Sequence, residues 1–216
     1  MSYKEKFFVA NNLTGTPEGN LLESLGELMN LTDEFYSNIL PMLKHQSSRK
    51  VVKVTSEGDI CKTAYWIDSG YGRFYRVVYK DGVRTEVTFK FFMPGSIMVI
   101  PECFFNGKPC DYYADFTKNA VVIAFTADNF STLKLTASEA EALANRVLSL
   151  SNPGSNKKNE ILNLKPTPRY EKFLEVFGKE STRYCKVKDM ASFLLIVPQT
   201  LSKIRARIKR RDQSKR

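Results

Sequence analysis

Apolar and polar residues alternate with helical spacing near the start of the chain. Residues 1–20 contain several turn-forming residues, and they predict little regular structure. Between Leu21 and Lys44, apolar residues recur at three- and four-residue intervals, which predicts amphipathic helices. Thr32 is placed to cap a second helix that carries Phe35. The first predicted elements are therefore helices between Leu21 and Lys44.

Residues 51–126 contain short runs of β-branched and aromatic residues that turn signals separate. The dipeptide Asp81-Gly82 between two such runs predicts a tight hairpin, because glycine accepts the positive φ that this turn requires. The runs are Val51–Val54, Thr63–Ile67, Gly72–Tyr79, Thr85–Phe92, Ile97–Ile100, Tyr112–Thr117 and Ala120–Thr126. Many short strands with closely spaced turns predict a small antiparallel barrel or roll.

Helical spacing returns at Ser138 and continues to Leu150, and a second helical stretch follows over Asn156–Leu164. Pro153-Gly154 lies between them and is predicted to break or bend the helix, because an interior proline costs about 3 kcal/mol. The next helix is predicted to begin with Thr167 as its cap, followed by Pro168 at its first position.

The stretch Val187–Arg211 has the pattern of a helix-turn-helix. A short helix over Lys188–Leu195 and a turn at Ile196-Val197 precede a second helix that Pro198 opens. At about 100° per residue, one face of the second helix is apolar, and it comprises Val197, Leu201, Ile204 and Ile208. The opposite face comprises Gln199, Lys203, Ala206 and Arg210.

A helix that reads the major groove needs this division between a packed face and a polar face. Gln199 has the chemistry to bond adenine, and Lys203 has the chemistry to reach guanine. The residues expected to contact DNA are Pro198, Gln199, Thr200, Ser202, Lys203, Arg205, Arg207 and Arg210. An ordinary amphipathic C-terminal helix is the alternative that the pattern leaves open.

The distribution of charge supports an anionic partner. The 216 residues carry a net charge of +10. Residues 1–151 hold 16 Lys and Arg against 17 Asp and Glu, whereas residues 152–216 hold 17 against 6. A basic segment beside a nearly neutral one is typical of a module that binds a polyanion, and a solubilising tail is the alternative.

Composition excludes several other classes of protein. No apolar run approaches the roughly 20 residues of a membrane helix, and four cysteines without a dense framework are typical of a reducing compartment. We therefore expect a cytoplasmic protein with no membrane contact. With His45 as the single histidine and no nucleophile or phosphate-loop motif, no catalytic residues and no metal ligands are expected.

Three segments resemble motifs of one family: TAYWIDSGYGRFYRVVYKDGVRTEVTFKFFMPGS at 63–96, KPTPRYEKFL at 165–174 and KDMASFLLIVPQTLSKIRARI at 188–208. The family is that of the Crp/Fnr (cyclic-AMP receptor protein superfamily) transcription regulators, in the divergent form common in Bacteroidetes. The third segment carries the most specific resemblance, and the resemblance as a whole covers about residues 21–211.

This resemblance implies an α+β fold. It comprises an N-terminal cyclic-nucleotide-binding-like antiparallel β-roll (a jelly roll) over 1–136, a dimerisation helix over 137–164, and a C-terminal helix-turn-helix, winged-helix-like domain over 165–216. The wing after Ile208 is expected to be truncated or absent. The residues expected to hold a homodimer together are Leu143, Val147, Leu150, Ile161 and Leu164.

The resemblance further implies that double-stranded DNA is the partner, read at an inverted repeat by two helices about 34 Å apart. RNA polymerase is a further possible partner. Two functions from other classes stay open: a ligand-independent architectural DNA binder, and a β-roll that acts as a protein-interaction module with an incidental basic tail.

The chain departs from the family at several positions. Leu195 replaces the usual turn glycine, Val197 the usual Ser/Thr cap and Lys203 the usual arginine. Residues 95–100 and 109–111 lack the Gly-Glu pair and the arginine that hold a cyclic phosphate, an anion that needs a positive partner. We therefore expect no cAMP or cGMP binding and no cofactor.

The same region is expected to line an apolar ligand pocket, with plain core packing as the alternative. The pocket residues are Met98, Val99, Ile100, Cys110 and Tyr112.

Overall fold

The structure is a computed structural model of the chain, and it describes residues 3–151 and 154–214. Its helices are α1 Tyr3–Ala10, α2 Pro17–Leu28, α3 Asp33–Ile39, α4 Pro101–Asn106, α5 Ala127–Thr136, α6 Ala140–Ser151, α7 Gly154–Leu162, α8 Pro166–Phe177, α9 Ser181–Tyr184, α10 Val187–Phe193 and α11 Pro198–Gln213. Its strands are β1 Lys44–Ser48, β2 Val52–Thr55, β3 Thr63–Ser69, β4 Gly72–Lys80, β5 Val83–Phe92, β6 Ile97–Met98, β7 Tyr113–Phe116 and β8 Ala120–Thr126.

The strands form a roll of two four-stranded antiparallel sheets. The first sheet has the order β1-β8-β3-β6 and the second the order β2-β7-β4-β5. The hairpin between β4 and β5 turns at Asp81 (φ 52°) and Gly82 (φ 75°), as the Asp-Gly signal predicts. Apolar side chains fill the space between the sheets, among them Ile67, Phe74, Phe92, Met98, Phe116 and Val122.

The outer face of the first sheet is covered by helices. Trp66 and Ile123 project from that sheet into a second core. The helices α2, α3, α5 and α6 complete this core with residues such as Leu22, Phe35, Leu133 and Leu143. Because α6 packs here, its apolar side faces the chain's own interior.

A third core holds the C-terminal helices together and joins them to the second sheet. Phe173 of α8, Leu194 beside α10 and Leu201 of α11 are fully buried in it. Phe91 of β5 belongs to the same core, with its ring centroid 5.3 Å from that of Phe193 and 5.8 Å from that of Phe173. The helix-turn-helix therefore packs directly on the roll.

Most of the predicted elements are confirmed, with four kinds of exception. The prediction of little structure over residues 1–20 is wrong, since α1 and the start of α2 lie there. Strand β1 was not predicted because its residues are polar and mostly exposed. The helices α4, α5 and α9 were also not predicted. Helix α8 begins at Pro166, so its cap is Lys165 and not Thr167.

The prediction of a break at Pro153-Gly154 falls partly on residues 152–153, which lie outside the described residues. No helix within residues 3–151 and 154–214 is long and apolar enough to span a membrane.

Candidate nucleic-acid interface

The turn between α10 and α11 reverses the chain through Leu195. This residue has a φ of 52°, in the left-handed region that favours glycine. The amide of the next residue, Ile196, donates to the carbonyl oxygen of Ala191 at 2.9 Å, which closes the end of α10. Leu195 thus has the left-handed backbone conformation that glycine usually adopts at such a turn.

Replacing Leu195 by glycine is expected to raise the free energy of unfolding by about 1 kcal/mol, because a left-handed conformation costs a non-glycine residue about 1–2 kcal/mol. The side chain is 66% exposed, so little buried area is lost. Urea denaturation measures the change. Leu135→Gly is the control, since Leu135 is 87% exposed on a helix and glycine there lowers stability. Destabilisation by Leu195→Gly would contradict the account of the turn.

Arg169 holds this turn to the preceding helices. Its guanidinium donates to the carbonyl oxygen of Leu194 at 2.7 Å and to those of Leu162 (2.7 Å) and Leu164 (3.0 Å). Arg169 therefore supplies donors to carbonyl groups at the ends of α7 and α10, which have no helical partner. The arginine of the KPTPRYEKFL segment acts as a structural clamp.

The second helix of the unit, α11, presents its polar face to solvent. Gln199, Lys203, Ala206 and Arg210 are all exposed. On the opposite face, Leu201 is fully buried and Ile204 is 5% exposed. Val197 was predicted to join the buried face, but it is 61% exposed, because it is the cap residue and lies outside the helix. It makes no side-chain cap, as its replacement of Ser/Thr implies.

Three of the basic residues of α11 engage α8. Arg207 donates to Thr167 Oγ1, and Arg211 bonds Glu171 Oε1 at 2.7 Å. Burial raises the pKa of Tyr170, and a hydrogen bond from Arg205 partly offsets this effect. By contrast, the side chains of Lys203 and Arg210 make no hydrogen bond or ion pair within the described part of the chain.

A recess of about 520 Å³ separates the start of α8 from α11. Lys165, Lys203 and Arg207 line it, together with the hydroxyl-bearing residues Thr167 and Thr200. Pro166 and Pro168 have no backbone N–H, so the first turn of α8 adds at most the amide of Thr167 to these groups. Cations and hydroxyl groups are among those that contact phosphate in protein–DNA complexes. Sequence reasoning missed Lys165, whose only signal was the general basic excess.

Neither a family model nor a curated protein matches this chain. Solved structures do match. The regulator CLP of Xanthomonas campestris, described as c-di-GMP responsive, is 14% identical over 82% of this chain and 92% of that chain, with a TM-score of 0.58. A Crp/Fnr-family transcriptional regulator from Eubacterium rectale is 13% identical over 82% and 85%, with a TM-score of 0.59. A CRP-family regulator from Thermus thermophilus is 18% identical over 78% and 85%, with a TM-score of 0.56.

The chain has the fold of the Crp/Fnr transcription regulators. Within this fold, the described residues after 126 contain helices and no strand, so no β-hairpin wing follows α11 up to residue 214.

The roll of this Crp/Fnr fold has a filled interior at the predicted pocket. Met98, Ile100 and Cys110 are each at most 4% exposed in the core between the sheets, and Tyr112 packs against them. Val99 instead lines a separate apolar cavity outside the first sheet. These four side chains thus pack in the core between the sheets, where the thiol of Cys110 lies 2.9 Å from that of Cys103.

The single histidine of the chain lies close to a carboxylate. His45 lies on β1, with Nδ1 3.4 Å from Glu18 Oε1. Within residues 3–151 and 154–214, no group of His, Cys, Asp or Glu side chains is arranged to hold a metal ion.

The residues predicted to form the dimer interface do not share one exposed surface. Leu143 is 6% exposed in the core under α2, and Ile161 is fully buried among the C-terminal helices, so both belong to the chain's own interior. Val147 is half-buried. Leu150 and Leu164 are 56% and 37% exposed. Helical spacing identifies an apolar face but not what covers it.

A cluster of buried charges joins the helix-turn-helix to the roll. Arg73 of β4 forms two bonds of 2.8 Å with Asp115 of β7 and one of 2.8 Å with Asp189 of α10. It also bonds Glu86 of β5 at 2.9 Å. The side chain of Arg73 is 7% exposed and that of Asp189 is 8% exposed. Because Asp189 lies on the first helix of the helix-turn-helix, the cluster sets the position of that unit.

The pKa values of Glu86 and Asp189 in this cluster are shifted in opposite directions. Burial raises the pKa of Glu86, but hydrogen bonds from Arg73 and Arg84 outweigh it and lower that pKa to about 2. At Asp189, burial raises the pKa despite the attraction of Arg73. The ion pair of Glu86 therefore survives to a lower pH than that of Asp189.

The contribution of Glu86 to stability is expected to depend on pH in the acid range. Its folded-state pKa of about 2 lies below the ordinary 4.5, so its stabilisation is present above pH 4.5 and is lost as the pH falls toward 2. Glu86→Gln should lower stability at pH 7 and flatten the decline between pH 4.5 and 2, as measured by urea denaturation. The exposed Glu57→Gln is the control. An unchanged pH profile in Glu86→Gln would count against the cluster.

Proposed function

We propose that the protein is a sequence-specific DNA-binding transcription regulator of the Crp/Fnr type that acts as a homodimer on an inverted repeat. One observation carries the proposal: the polar face of α11 is exposed while its apolar face is clamped to α10 and α8. A helix held in this way can enter a major groove. The recess beside α8 provides positive groups for the flanking phosphates.

Each group of side chains has a role in this proposal. Gln199 and Lys203 read base edges, while Pro198, Thr200 and Ser202 lie at the start of the helix, beside the backbone. Arg210 neutralises phosphate charge. Arg205 and Arg207 do so as well, and their contacts with α8 fix the positions of their side chains. RNA polymerase is a partner that a regulator of this type requires if it activates transcription.

Dimerisation is proposed through the exposed apolar residues Leu150 and Leu164, with Val147 beside them. Two copies that place their α11 helices about 34 Å apart match an inverted repeat. Selection of duplexes from a random pool by the purified protein tests symmetry and specificity together. The proposal predicts a palindromic consensus, whereas recovery of unrelated sequences would favour an architectural DNA binder.

We further propose that cAMP and cGMP are not effectors. The interior of the roll is filled by apolar side chains at Met98, Ile100 and Cys110. A cyclic phosphate would enter a desolvated space that is lined, among the described residues, by these apolar side chains, which cannot compensate its charge. Calorimetric titration with cAMP is expected to give no binding heat, and micromolar affinity would contradict this proposal.

Gln199→Ala and Lys203→Ala are each expected to weaken binding to the selected duplex by about 1–3 kcal/mol and to relax preference at one base pair. Both residues are exposed, so neither change affects folding. Fluorescence anisotropy on the selected duplex and on random duplex measures the two effects. Lys179→Ala, an exposed lysine outside α11, is the control. Equal losses on both duplexes would favour the architectural binder, and no loss would favour the interaction module.

A further inference from the structure

A cavity of about 580 Å³ lies where the roll meets the C-terminal helices. Its walls come from α2, the end of β5, α6, α7, α8 and α10. Apolar side chains form much of the wall, including Leu25, Leu28, Phe91 and Phe177. Ligand sites commonly have this size and lie at the junctions of structural units. The cavity lies outside the core that Met98, Ile100 and Cys110 form between the two sheets.

Two lysines border this cavity. The ammonium group of Lys158 donates to the carbonyl oxygen of Phe89 at 3.2 Å and lies 5.1 Å from the ring centroid of Phe193. The ammonium group of Lys90 lies 4.8 Å from the ring centroid of Phe92. All three contacted residues also line the cavity, so both ammonium groups are held at its wall.

Lys158 forms no ion pair with a carboxylate within the described residues. Its ammonium group contacts a carbonyl oxygen and an aromatic ring. The side chain is half-buried, and burial lowers its pKa. An ammonium removed from water without a counter-ion is costly, and an anion bound at Lys158 would offset that cost. Burial also lowers the pKa of Lys90.

We propose that this cavity binds an amphipathic carboxylate, with the carboxylate on Lys158 and Lys90 and the hydrocarbon part along the apolar wall. A charge-assisted bond fixes the head group, and burial of hydrocarbon supplies further affinity. Glu27, the acidic residue in the lining, is exposed, and it forms no ion pair with Lys158 within the described residues. A compact polyanion would leave the apolar wall unfilled.

Trp66 provides the signal for a direct test. It is the single tryptophan of the chain, and it lines the cavity. Decanoate, titrated below its aggregation threshold, should change the emission of Trp66 saturably. Decanol has the same chain without the charge and should bind at least about tenfold more weakly, because a bond to a charged group contributes about 1.5–3 kcal/mol.

The variant Lys158→Met keeps an aliphatic side chain that can fill the same space and removes the charge. It should weaken decanoate binding by about tenfold or more and leave decanol binding unchanged. Lys90→Met is the second variant, and the exposed Lys179→Met is the matched control. Urea denaturation confirms that each variant is folded. No saturable change, equal binding of acid and alcohol, or unchanged decanoate binding in both cavity variants would overturn the proposal.

These titrations contain no DNA, so their outcome does not depend on the proposed function. The role of the ligand as an effector does rest on it: the cavity wall includes Phe177 of α8 and Phe193 of α10, which belong to the DNA-binding unit. Decanoate is then expected to change affinity for the selected duplex in the parent protein and not in Lys158→Met. If decanoate binds but leaves that affinity unchanged, the site stands and its role as effector fails.

Discussion

Replacing Arg73 by leucine is expected to lower the free energy of unfolding by about 3–5 kcal/mol, because it leaves buried carboxylates without their cation. Asp115, Asp189 and Glu86 all bond this one guanidinium. Leucine removes those bonds and leaves three like charges close together. The variant also removes the ionic attachment of α10 to the roll, so the helix-turn-helix should become easier to cleave by a protease than in the parent.

The measurement is urea denaturation at pH 7, with limited proteolysis as a second readout. Arg183→Leu is the matched control, since Arg183 is 75% exposed and its ion pair is with Glu180, three residues earlier in the chain. An exposed pair of this kind contributes about 0.2–1 kcal/mol. If Arg73→Leu cost no more than the control, the cluster would not be the anchor of the unit.

Ala206→Glu is expected to reduce affinity for DNA by about a hundredfold, because a like charge placed against phosphate costs several kcal/mol. Ala206 lies in the middle of the polar face of α11, and its side chain is exposed. Glutamate is a good helix former, so the fold should tolerate the change. The lost affinity would then come from contact with DNA and not from unfolding.

Fluorescence anisotropy with a selected duplex measures this effect, and urea denaturation shows that stability is retained. Ala142→Glu is the matched control, since Ala142 is an exposed alanine on α6 and the change in net charge is the same. We expect Ala142→Glu to bind DNA nearly as the parent does. Equal losses of affinity in the two variants would indicate a general charge effect, and the polar face of α11 would then not be the surface that contacts DNA.

Local pattern was sufficient to predict the elements that carry this interface. The 3.6-residue period separated Leu201 and Ile204 from Gln199 and Lys203, and the structure shows that division. The same holds for the hairpin at Asp81-Gly82, because the turn requires a positive φ at both residues, which Asp-Gly accepts. These features depend on residues that are close in sequence, so a single sequence contains the whole signal.

Features that depend on distant residues could not be predicted. Arg73 of the roll forms an ion pair with Asp189 of the helix-turn-helix. The sequence around either residue contains no signal that identifies its partner. Leu143 and Ile161 fit the apolar period of a dimer helix equally well whether a second copy or the chain's own core covers them. Strand β1 shows the same limit, because its polar residues pair with β8 through backbone groups alone.

The most direct test of the account locates α11 on the duplex. Ala206→Cys, made in a chain with Cys61→Ser because the other cysteines are buried, can carry an iron–EDTA group that cleaves DNA nearby. The account predicts two cleavage patches in a selected duplex, about one helical turn (~34 Å) apart, with one patch from each protomer. Cleavage spread evenly along the duplex, or none above the unlabelled protein, would contradict it.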